Sequence, residues 1–139
     1  MEVRPVKISW KHILVAAICA ELVVAVIYVP AKKNLDETVF GVIALSNFIV
    51  WMFLAGFWVA SRIDKRFILH GLLVGICSNI IWYFLSPIIM GDGTLWRGFL
   101  NLIYLVIFPF KTLPAMAGAY AGGRRRKKRL AAQSAILPG

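Results

Sequence analysis

The sequence predicts an all-α integral membrane protein, a bundle of four transmembrane helices running up-down-up-down with both termini inside. Three observations carry that expectation. The 139 residues are 60% hydrophobic with a mean hydropathy of +0.79, against an apolar share of roughly 45–50% in soluble domains. Four apolar runs, at about 12–30, 39–60, 67–89 and 99–121, each match the roughly 17–25 residues a spanning helix needs. Basic residues are also distributed unevenly. With the N-terminus inside, twelve fall on the inner side: Arg4, Lys7, Lys11, Arg62, Lys65, Arg66 and the run Arg124, Arg125, Arg126, Lys127, Lys128 and Arg129. Only Lys32, Lys33 and Arg97 fall outside, which the positive-inside rule reads as orientation.

The chain divides into a transmembrane domain, 1–123, and a basic cytoplasmic tail, 124–139. The loops between the runs are too short to hold a soluble module. Arg4, Lys7 and Lys11 precede the first run as a signal peptide's basic region would, but Glu21 interrupts the run and further spans follow directly. It is therefore expected to be a retained helix. Trp10 sits at headgroup level, and Pro30 is expected to end the helix. Ala17, Glu21, Ala25 and Tyr28 share one stripe, which should face protein because lipid offers the carboxylate no hydrogen bond.

Helix 2 is expected to start after Thr38 as N-cap, with Asp36 and Glu37 at the positive end of its dipole. It carries Ser46 and Asn47 and a small pair, Gly56 and Ala60. The loop SRIDKR then forces a hairpin with helix 3. Helix 3 has His70 one turn inside the boundary and Gly71 and Gly75 in GxxxG spacing, a close-packing device that serves an internal contact or a dimer equally. Asn79 lies at the depth of Asn47, so a hydrogen bond between them is expected, worth roughly 0.6 kcal/mol.

After a glycine-rich outer loop with Trp96 and Arg97, helix 4 holds Lys111 between Pro109 and Pro114. Each proline frees a carbonyl, of Leu105 and Phe110, so a kink is expected and the freed oxygens are candidate acceptors for the ammonium. Lys111 shares a stripe with Ala115 and Ala119, with Gly118 and Gly122 beside it and Tyr104 seven residues earlier. That pattern mirrors helix 1 and predicts that helices 1 and 4 are neighbours. The last ten residues, LAAQSAILPG, are expected to be disordered or to lie on the membrane.

Glu21 and Lys111 are the chemistry the sequence offers. At about 2.5–3.5 kcal/mol each, two central charges cost roughly 5–7 kcal/mol on insertion, so they are expected to pair. Three uses compete: fixing helix register, meeting another membrane subunit, or moving ions or protons. His12 and His70 lie near one boundary, where a bis-histidine haem or other pigment would be a further alternative; no cofactor and no metal site is expected. Cys19 and Cys77 lie inside predicted spans without CxxC spacing. No nucleophile with base and orienting acid, no phosphate loop and no HExxH occurs, so the sequence offers no catalytic machinery. The net charge of +10 points to anionic lipid headgroups, at roughly 1 kcal/mol per basic residue near the surface, rather than to nucleic acid. Another membrane protein or a homo-oligomer is the expected partner.

The segment WKHILVAAICAELVVAVIYVP resembles the opening of small four-span hypothetical bacterial membrane proteins, in which a basic aromatic lead precedes a helix holding Ala-Glu-Leu and ending in proline. GFWVASR and LHGLLVG, at 56–62 and 69–75, are similar to the second and third spans of such proteins. The resemblance covers about the first 80 residues. It implies a membrane location and marks Glu21 and His70, without implying an activity.

Overall fold

The computed structural model describes residues 8–90 and 102–136, with side chains described for 8–89 and 106–134. Among these the chain forms four α-helices: α1 (Trp10–Asn34), α2 (Glu37–Ala60), α3 (Phe67–Met90) and α4 (Leu102–Ile136). The first three are each long and apolar enough to cross a membrane. The outer loop with Trp96 and Arg97, the leading Arg4 and Lys7, and the Tyr104 side chain lie outside the described residues.

Two helix ends differ from the sequence expectation, and the tail, expected to be disordered or to lie on the membrane, differs only in not being disordered over its helical part. Pro30 does not end α1, which continues to Asn34. The proline removes only its own donor, and the following turn is held by the Asn34 side-chain amide donating to the Pro30 carbonyl at 2.8 Å. The N-cap of α2 is Asp36, not Thr38: one carboxylate oxygen accepts from the Thr38 N–H at 3.0 Å and the Val39 N–H at 3.1 Å. A carboxylate there meets both the free donors and the positive end of the dipole. Beyond the basic run, α4 stays helical to Ile136, because Ala, Leu, Gln, Lys and Arg all favour helix once one has been nucleated.

Around the perimeter the order is α1, α2, α4, α3, with α2 and α3 also touching across the middle. Helices 1 and 4, expected to be neighbours, are instead diagonal. No described Cα of α1 comes within 8 Å of one in α4. Matching polar stripes indicate that two helices face a common centre, which opposite corners satisfy as well as adjacent ones.

Glycines set this arrangement. A Cβ on Gly118 would strike the Phe53 carbonyl, and one on Gly122 would lie 2.6 Å from the Phe57 carbonyl, so α2 and α4 touch backbone to backbone and run in the same direction. Across the other flank a Cβ on Gly71 would lie 2.7 Å from the Ala119 Cβ, and one on Gly75 2.7 Å from the Thr112 Cα, so α3 runs opposite to α4. The GxxxG pair of α3 is thus used inside the chain. Rings meet on the α1–α2 flank, Tyr28 edge-on to Phe40 at 4.9 Å and His12 tilted against Trp58 at 5.9 Å, which makes those helices antiparallel.

Two apolar clusters fill the interior. One contains Ile13, Met52, Val59, Val74 and Ala115; the other contains Val24, Tyr28, Phe48 and Trp82. The charged residues lie where the two meet. Outward faces are apolar as well, with Val26 72% and Ile88 77% exposed. Such faces would be untenable in water at this density and are ordinary against hydrocarbon.

Candidate functional site

Lys111 reaches from α4 across the bundle to Glu21 on α1, with Nζ 2.6 Å from Oε1. Both side chains are closed off, at 0% and 1% exposure. The diagonal placement explains why a lysine serves here: its four-carbon stem crosses a gap that shorter side chains could not. Aromatic faces complete the surroundings of the ammonium. Nζ lies 4.7 Å from the Phe48 ring centre and 4.8 Å from that of Trp82, and a desolvated cation–π contact contributes about 2 kcal/mol. Trp82 is itself held edge-on by Tyr28 at 5.3 Å and by Phe48 at 5.4 Å. Four helices therefore contribute to one site: carboxylate and phenol ring from α1, phenyl from α2, indole from α3, ammonium from α4.

A sixth group, Ser78 of α3, donates its hydroxyl to the same Glu21 Oε1. It is fully buried. Ser78 thus holds the place that matching depth assigns to Asn79, one residue on, and the expected bond between Asn47 and Asn79 does not form. Asn79 is half-buried and its amide donates to the Gly75 carbonyl of its own helix at 2.8 Å, whereas Asn47 donates to the Val24 carbonyl of α1 at 3.2 Å. Matching depth is insufficient, because one residue turns the side chain about 100° around the helix. A signal for Ser78 was present. Gly71, Gly75, Ser78 and Trp82 fall at spacings of four, three and four, one face of α3, so the glycine stripe already pointed to Ser78. Phe48 carried no comparable mark, and Trp82, although on that same face, reads first as packing because it is an aromatic in an apolar run.

Ser78→Ala is expected to destabilise the bundle by roughly 1.5–3 kcal/mol, the range for a hydrogen bond to a charged group. Asn79→Ala should cost less, because its amide serves only its own turn. Unfolding by SDS titration in mixed micelles checks the difference.

Among the described residues the ammonium donates to Glu21 and not to the Phe110 carbonyl, and the Thr112 hydroxyl donates to the Phe108 carbonyl at 2.7 Å; Leu105 lies outside the residues whose contacts are described. Two buried acceptors remain without a donor among the described residues: Glu21 Oε2 and Asn47 Oδ1.

Near the other end of the bundle the two histidines meet on Ser9. His70 Nδ1 donates to the Arg66 carbonyl at 3.0 Å, and its Nε2 accepts the Ser9 N–H at 3.3 Å. A carbonyl only accepts, so this pairing assigns the proton to Nδ1. Arg66 holds that carbonyl in place from a left-handed backbone, with φ of 55°. His12 Nδ1 lies 2.6 Å from the Ser9 hydroxyl. With both nitrogens engaged by backbone, His70 has no lone pair directed at a haem or metal. Among the described residues no three His, Cys, Asp or Glu side chains converge on a common point.

The basic run is partly bound to the bundle. Arg126 donates to the Ser61 carbonyl at 2.8 Å and pairs with Asp64. Arg124, Arg125 and Lys127 stand over Tyr120, Phe57 and Phe67 at 5.7, 5.9 and 5.6 Å respectively. Lys128 and Arg129 are exposed. No protein-family model, curated protein or solved structure matches the chain.

Proposed function

We propose that the chain is a four-span integral protein of a bacterial cytoplasmic membrane, ordered up-down-up-down with both termini inside, that acts as an accessory or scaffold subunit through helix contacts. The apolar run at 99–121 and the twelve inner basic residues support the fourth span and the orientation. One observation carries the scaffold reading: the Glu21–Lys111 pair is enclosed and answered from within by Ser78, Phe48 and Trp82. A charge serving a conduction path has to meet water or a transported ion, whereas one serving register is best enclosed. The partner is another membrane protein or a second copy, met through the apolar outer faces, with anionic lipid headgroups at the basic run Arg124, Arg125, Arg126, Lys127, Lys128 and Arg129, of which Lys128 and Arg129 make no hydrogen bond, ion pair or ring contact with the bundle among the described residues. No catalytic activity and no nucleic-acid binding is proposed.

The unpartnered Glu21 Oε2 favours a second reading, an oligomeric ion- or proton-coupled transporter or channel using Glu21 and Lys111. Affinity purification in mild detergent, together with flux measurements in proteoliposomes, separates the two. The scaffold reading expects a co-purifying membrane protein or a stable oligomer, and no pH- or voltage-driven flux. A flux present in the native chain and lost in Glu21→Gln would overturn it.

A further inference from the structure

A groove of about 340 Å³ runs along the outer surface between α1 and α2, walled by Val15, Cys19 and Val23 on one side and by Trp51, Leu54 and Trp58 on the other. It exists because α1 presents small side chains, Ala16, Cys19 and Ala20, towards two indoles. From Val15 to Val23 it is about 12 Å long at 1.5 Å per residue, close to the roughly 15 Å of hydrocarbon in one leaflet. Its lining is apolar throughout.

One end of the groove is positively charged. Trp58, which closes that end, carries the Arg62 guanidinium 5.4 Å above its ring and faces the His12 ring at 5.9 Å. Lys11 is exposed beside His12, and the first turn of α1 holds no acidic residue. Asp64, the acid of the SRIDKR loop, is already paired with Arg126. Among the described residues no carboxylate pairs with Arg62 or Lys11. An apolar slot one leaflet deep, ending under an indole and two uncompensated cations, has the chemistry of a lipid with a hydrocarbon tail and an anionic head.

We propose that this groove binds an anionic glycerophospholipid, with one acyl chain between α1 and α2 and the phosphate at Arg62 and Lys11. The proposal rests on the membrane reading but not on the scaffold role or on which leaflet is inner. A zwitterionic lipid offers the same tail with an internally compensated phosphate, so headgroup preference is the signature.

The test is native mass spectrometry of the full chain in mild detergent, equilibrated with equal amounts of phosphatidylglycerol and phosphatidylcholine carrying the same acyl chains. The first lipid bound is expected to be phosphatidylglycerol by about thirtyfold, from two basic residues near the headgroup. Lys11→Gln with Arg62→Gln should reduce that preference severalfold and leave uptake of phosphatidylcholine unchanged. Cys19→Phe, which fills the groove from its exposed wall without changing charge, should reduce uptake of both lipids. Val15→Phe should do the same, and circular dichroism shows which of the two groove variants folds; either one is sufficient. Undiminished phosphatidylglycerol uptake in a folded groove variant would assign the lipid to the basic tail and overturn the proposal. A lipid-free dimer that Cys19→Phe converts to monomer would overturn it in favour of a second copy. A chain that is monodisperse in buffer without detergent would overturn the membrane reading along with it.

Discussion

Lys111→Leu is expected to destabilise the bundle by about 3–5 kcal/mol, more than Lys111→Leu and Glu21→Leu combined. The single change leaves a carboxylate with 1% exposure, answered among the described residues only by the Ser78 hydroxyl. The double change removes both charges from an interior where paired ions and packed hydrocarbon are often nearly equivalent in energy. Leucine also suits a site already roofed by two aromatic rings. The measurement is a double-mutant cycle from SDS-titration unfolding in mixed micelles, with reversibility checked for each variant. A coupling energy near zero would mean that the 2.6 Å contact does not govern stability. The converse single change, Glu21→Leu, leaves the ammonium its two ring faces and should therefore cost less than Lys111→Leu.

Gly118→Ala should cost about 1–3 kcal/mol, the usual range for overpacking, although it adds one methyl group and improves helix propensity. That methyl would land on the Phe53 carbonyl, 2.8 Å from its carbon and 3.0 Å from the Phe57 nitrogen. Neither neighbour is a flexible side-chain end that could turn aside, so α2 and α4 must separate. Separation would disturb the reciprocal contact at Gly56, whose own Cβ would strike the Ala115 carbonyl. Gly41 supplies the control, as nothing lies within 4 Å of the position its Cβ would take. Gly41→Ala should be neutral or stabilising by up to about 1 kcal/mol. The same unfolding measurement compares them, and equal effects at the two positions would show that the α2–α4 approach is not as close as described.

Much of this site could be read from residue types and spacing. A lone acid and a lone base within apolar runs are costly enough in hydrocarbon that pairing follows from energetics alone, and Glu21 does meet Lys111. The buried stripe of Ala17, Glu21 and Tyr28 on α1 follows from the same constraint. What surrounds the pair was less legible. Ser78 and Asn79 are adjacent polar residues in one run, and only the angular position set by α4 packing on Gly71 and Gly75 selects the serine as the partner of Glu21. Local propensity likewise misjudged the ends. Pro30 sits late enough in α1 for the last turn to be completed without its N–H, and Asp36 outcompetes Thr38 because its carboxylate reaches two donors.

From the one-dimensional record come the apolar helices, the uneven distribution of basic residues between the runs and the demand that Glu21 and Lys111 find each other; each follows from the cost of placing charge or backbone in hydrocarbon, which depends on residue type. The arrangement of corners does not follow. Whether α4 lies beside α1 or opposite it turns on where Gly56, Gly118 and Gly122 let two backbones touch, and that is a matter of three-dimensional fit among helices whose faces are nearly all apolar.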